Sequence, residues 1–133
     1  MSAPTDRTIF LRRSLQLDGI ASGLCGVLLL AGARHISALM GLAGPGLARV
    51  VGALLVVYAG ALLYNAARVT VSRGEAVAAV VLNAGWVLGS ALVILAGRLT
   101  LVGNLAVAAV AAAVLLFALL EVVGLTRLRE LAG

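Results

Sequence analysis

Four stretches of this chain run for about 20 residues each with almost no charge, and a water-soluble domain this small has too little interior to hide them all. They cover about residues 14–33, 48–67, 76–97 and 99–125. A helix crosses a bilayer in about 20 residues, at about 1.5 Å of rise per residue. Backbone immersed in lipid must satisfy its own hydrogen bonds, so these runs are expected to be helices and not strands. The expected fold is all-α: a four-transmembrane-helix bundle forming a single membrane domain over 1–133. Composition agrees. Of 133 residues, 63% are hydrophobic and only 11% charged, against about 25% charged in an ordinary soluble domain.

The connections are short. The longest, 34–49, carries the breakers Gly41, Gly44, Pro45 and Gly46, and its apolar part Ile36–Leu42 is expected to lie on the membrane surface. Residues 68–75 and 97–100 form the other two, and the polar tails at either end are expected to fray.

All ten basic residues are arginines, and the formal net charge is +5. They gather at the ends of the apolar runs. There is no basic stripe interleaved with aromatics, so nucleic acid is not an expected partner; the expected partner is the lipid bilayer. Arg7, Arg12, Arg13, Arg68, Arg73, Arg127 and Arg129 fall on one side of the four spans. Arg34, Arg49 and Arg98 fall on the other. The positive-inside rule then places both termini in the cytoplasm, with Arg12, Arg13, Arg68, Arg73, Arg127 and Arg129 as topology anchors. A rival reading makes the first run a cleaved signal peptide, from the Arg12-Arg13 pair to Ala31-Gly32-Ala33.

An internal similarity argues for keeping that first helix. A shift of 65 residues sets Leu17-Asp18 on Leu82-Asn83, Cys25 on Ser90, and Leu30-Ala31-Gly32 on Leu95-Ala96-Gly97, without a gap. A looser match sets Ala61-Leu62-Leu63 on Ala118-Leu119-Leu120. The chain reads as two tandem parallel helical hairpins related by a pseudo-twofold along the membrane normal. Small residues recur at four-residue spacing in Gly19/Gly23, Ser22/Gly26, Gly85/Gly89 and Ala108/Ala112, where another helix can approach closely. Packing inside the bundle and homo-oligomer formation both fit these pairs.

Polar groups inside lipid are costly and tend to face the bundle interior. Each helix brings one to the half that carries the termini: Asp18, Asn65, Asn83 and Glu121, with Tyr64 and Trp86 close in depth. Two readings stay open. The layer fixes helix register, with carboxylates bonded to amides or paired with Arg12, Arg13 and Arg127. Or Asp18 and Glu121 line a small cavity for a proton, a cation or a polar headgroup. A docking surface for another membrane protein is a third. Trp86 is expected to pack in the bundle and give its N–H to a carboxylate, and Tyr58 to bond a neighbouring helix.

The lone Cys25 excludes an intramolecular disulfide framework, and one histidine, His35, makes no metal or haem site by itself. No catalytic set of Ser/His/Asp type and no Gly-rich phosphate loop is present. No cofactor and no metal are expected. An enzyme is the third-ranked reading, since Asp18, Glu121 and the tyrosines would have to carry the chemistry alone.

The segments L-Q-L-D-G-I-A-S-G (15–23), L-N-A-G-W-V-L-G-S (82–90) and E-V-V-G-L-T-R (121–127) resemble a loose group of small uncharacterised bacterial four-helix integral membrane proteins. The resemblance implies a bacterial inner membrane and the four-helix form, and it carries no activity. The expectation for function is a non-enzymatic accessory or scaffold component that associates with itself or with a larger membrane complex. The alternative is a small proton- or cation-linked transporter or channel using Asp18 and Glu121.

Overall fold

The structure, a computed structural model, describes the backbone of residues 6–132 and the side chains of residues 8–127. The side chains of Arg7 and Arg129 lie outside the described residues. The chain is all-helical, and no strand occurs among the described residues. Five helices follow one another: α1 (Asp6–Ala31), α2 (Ala33–Met40), α3 (Gly46–Ala67), α4 (Arg73–Leu95) and α5 (Leu101–Ala132). Four contain segments long and apolar enough to cross a membrane: Thr8–Ala31, Gly46–Ala67, Arg73–Leu95 and Leu101–Arg127. Their outer faces carry exposed Leu and Val, such as Leu28, Val57, Leu88 and Leu105, a surface that suits lipid and not water.

One expectation needs correction. Among the described residues, the segments expected to be tails are helical: α1 begins at Asp6, well before residue 14, and α5 runs on to Ala132. Leu11 explains the early start. It is fully buried at the end of the bundle that carries both termini, in a core with Leu15, Leu62, Ala66, Val71, Ala76, Ala79 and Leu125. α2 carries most of the apolar stretch expected on the membrane surface. Its Ala33 and Ser37 are buried, and its last turn docks on α5. Thr100 N–H donates to Met40 O (3.1 Å) and Thr100 Oγ1 to Leu39 O (2.5 Å). Gly41 ends α2 with φ +82°, a left-handed conformation natural to glycine, and the next N–H groups return to the open carbonyls of Ser37 and Ala38.

Around the bundle the spans follow the order α3, α1, α5, α4. α1 packs closely on α3, α5 on both α1 and α4, and α3 and α4 touch little. Within the first hairpin the fit is set by glycines. A Cβ at Gly26 would lie 2.7 Å from Gly52 O, and one at Gly52 would lie 2.8 Å from Gly26 O, so the two backbones are nearly in contact there.

Burial repeats at the spacing of 65 residues. Leu11, Ser14 and Asp18 are buried on α1, and Ala76, Ala79 and Asn83 on α4. The second helices repeat in burial at 59 residues rather than the 57 of the Ala61/Ala118 match. Ala59, Leu62 and Ala66 on α3 correspond to Ala118, Glu121 and Leu125 on α5. Runs of Ala and Leu match at several registers, whereas burial distinguishes them.

Candidate functional site

α1 and α4 meet where Asp18 faces its counterpart at the 65-residue spacing, Asn83. Asn83 Nδ2 donates to Asp18 Oδ2 (3.0 Å) and to Glu121 Oε2 (3.2 Å). Ser22, one turn beyond Asp18 on α1, donates to Asp18 Oδ1 (3.0 Å). From α3, the Tyr58 hydroxyl lies 3.0 Å from both Asp18 Oδ2 and Asn83 Oδ1. All four spanning helices therefore contribute to one cluster. Asp18 is 1% exposed and Glu121 0%.

The cluster is short of hydrogens. Tyr58 has one hydroxyl hydrogen and two acceptors to serve. The Asp18 and Glu121 carboxyls also share a single amide nitrogen, Asn83 Nδ2, so one donor serves two acidic groups. Glu121 Oε1 is buried with no partner. A buried carboxylate is stable only when paired or well hydrogen-bonded, yet neither Asp18 nor Glu121 has a cationic partner among the described residues.

The nearby arginines are engaged elsewhere. Arg12 donates to the final carbonyls of α3 and the residues after it: Ala66 O, Arg68 O (2.7 Å) and Val69 O (3.3 Å). It closes a helix C-terminus, where a cation is favoured. Arg127 sits over the Phe10 ring at 4.6 Å. Arg68 pairs with Glu75 (3.3 Å) and lies 5.8 Å from the Tyr64 ring centroid. Arg13 and Arg73 are exposed.

Of the residues singled out in the sequence, Asp18, Asn83 and Glu121 come together, and three do not join them. Asn65 bonds the α3–α4 connection instead: Ser72 N–H donates to its Oδ1 (2.8 Å) and its Nδ2 to Ser72 O (3.3 Å). Tyr64 points outward and is 68% exposed. Trp86 gives its N–H to no carboxylate; that buried group has no partner. Depth counting failed here because Arg12 and Arg13 lie inside α1, not at its mouth. The cluster is at the level of Tyr58, nine residues before the end of α3 at Ala67, or about 13 Å in. Asn65 and Tyr64 are shallower. Tyr58 and Ser22 were the members not assigned to the layer. The available signal for Ser22 was its four-residue spacing from Asp18, which stacks them on one helix face.

Beyond the cluster, away from the termini, the bundle opens into a cavity of about 470 Å³. Its wall is almost wholly apolar: Ala21 and Cys25 from α1, Val51, Leu54 and Leu55 from α3, Leu82 from α4, and Val110, Ala113, Val114 and Phe117 from α5. Ser22, Tyr58, Asn83 and Trp86 also line it. Three of these four bond the buried carboxyls, directly or through Asn83, so the carboxyls lie one hydrogen bond behind the wall. Apolar walls with a few convergent polar groups are the usual form of a small-molecule site. No group of three or more His, Cys, Asp or Glu able to hold a metal occurs among the described residues. No protein-family model, curated protein or solved structure matches the chain.

Proposed function

We propose that the protein is a small proton- or cation-linked transport component of a bacterial inner membrane, with both termini in the cytoplasm. The substrate class is an apolar molecule that bears one cationic or hydrogen-bond-donating group. One observation carries this reading: two fully buried carboxyl groups with no cation share one amide at the floor of an apolar cavity. Such a pair needs a positive charge, which a proton or the head of a cationic ligand can supply. The apolar wall accepts the remainder of the ligand. Trp86, also on that wall, holds a buried N–H without a partner. Entry lies between α3 and α4, which touch little, so an apolar substrate arrives from the bilayer. The side assignment rests on seven arginines against three across the spans, and the bacterial membrane on the resemblance of three segments.

Flux of ethidium, a fluorescent lipophilic cation, into proteoliposomes under a pH gradient tests the proposal. Wild type is expected to accumulate or expel the dye in response to the gradient. Asp18→Asn and Glu121→Gln are expected to abolish that response while eluting as folded protein of unchanged size. Unchanged flux in both variants removes the carboxyl pair from the mechanism.

A second reading, a self-associating or accessory component, is supported by α4. A Cβ at Gly85 or Gly89 would meet nothing within 4 Å, so this small-residue pair is left open within the chain. Loss of a dimer or complex in Gly85→Leu, with ethidium flux retained, would favour that reading.

A further inference from the structure

At the end of the bundle away from the termini, α1 passes into α2 across Gly32 and α3 begins. A second cavity of about 310 Å³ opens there, lined by Arg34, His35 and Arg49 together with the backbone stretch 30–33. The two arginines come from different helices, and both are exposed. Neither has an acidic partner. The chain has five acidic residues, Asp6, Asp18, Glu75, Glu121 and Glu130. None lies in α2 or in the connections at this end. Two guanidiniums facing one basin repel each other unless an anion lies between them. Their fixed fork of N–H donors matches the oxygens of a phosphate.

We infer that Arg34, His35 and Arg49 form a binding site for a phosphate group, and that this phosphate belongs to an anionic lipid headgroup. Depth selects the lipid. Arg34 lies just beyond the end of the first span at Ala31, and Arg49 lies in the first turn of the second, which begins at Gly46, so both guanidiniums reach headgroup level at the ends of their long side chains. The apolar side of Leu30, which also lines the basin, continues into the outward face of α1, where acyl chains lie. Arg98 is at the same end and exposed but does not line the basin. It is therefore an internal control for charge without a site.

The experiment is native mass spectrometry of the full chain released from micelles that contain equal amounts of phosphatidylglycerol and phosphatidylcholine. Wild type is expected to retain phosphatidylglycerol preferentially. Arg34→Gln and Arg49→Gln are each expected to lower that retention about fivefold, and the double variant more, while Arg98→Gln leaves it unchanged. These side chains are exposed, and helical circular dichroism with unchanged elution confirms that the variants fold. Equal retention by the double variant, or an equal loss in Arg98→Gln, overturns the site and leaves only diffuse charge. Displacement of the bound lipid by millimolar inorganic phosphate overturns the lipid assignment, because the site then takes the free anion.

Discussion

The seam between α1 and α5 and the seam between α4 and α3 occupy corresponding places in the two hairpins, yet one is closed and the other open. At the closed seam, Gly124 lets α5 approach Leu11 so closely that a Cβ there would lie 3.0 Å from Leu11 Cβ and 3.1 Å from Leu11 Cα. Gly103 does the same at the far end, where a Cβ would lie 2.9 Å from Met40 O. The second contact depends on α2, the helix that the first hairpin carries between its spans and the second lacks. In the second hairpin the spans are joined by a tight turn at Gly97, with φ +70°, and no helix corresponding to α2 stands between them. An inserted eight-residue helix thus ties one seam shut and leaves its counterpart apart. The two helices of the open seam, α3 and α4, both line the cavity. A repeated sequence need not give a symmetric bundle, and the departure from symmetry lies at the seam proposed for ligand entry.

The largest effect is expected from breaking the closed seam. Gly124→Leu places a branched side chain against the Leu11 backbone, which cannot give way as a flexible side chain would. The expected loss is about 3 kcal/mol, measured by unfolding in mixed micelles. Gly52→Leu is expected to act similarly through the Gly26 carbonyl. Next comes the cluster that joins the two hairpins. Asn83→Leu removes the only donor shared by both carboxyls and is expected to cost about 2 kcal/mol and to remove ethidium binding. Retained stability and binding would mean that the cluster is not coupled to the cavity.

The open seam is best probed through Cys25, the only thiol, which faces the cavity. A lipid-soluble maleimide is expected to label it, and excess ethidium is expected to slow the labelling. Labelling that ethidium does not affect would place the ligand elsewhere. The smallest effect is expected on the outer face of α4. Gly85→Leu meets open space and is expected to change the stability of the monomer by no more than about 0.5 kcal/mol. A larger loss would show that this face is covered.

Much of this fold is legible in the residues, because lipid imposes simple rules. Length and hydropathy mark the four spans, and the Asp18/Asn83 correspondence marks two residues that bond each other across the hairpins. The ends were harder. Residues 6–13 look like a polar tail, but Leu11 and the Arg12 cap are visible only when the terminal segment of α5 and the end of α3 are in place. The same error in counting depth brought Tyr64 and Asn65 into a layer they do not join and left out Tyr58. The cavity was not legible at all. It follows from the tertiary asymmetry that α2 imposes, and no local spacing of residues encodes it.

Proton counting during binding tests the central claim most directly. The purified protein is mixed with ethidium in weakly buffered detergent solution at pH 7, and the protons released are measured against the dye bound. A carboxyl pair that exchanges a shared proton for a cation predicts release of about one proton per dye bound, and loss of that release in Glu121→Gln. Binding without proton release, or release that persists in Asp18→Asn and Glu121→Gln alike, would contradict the account.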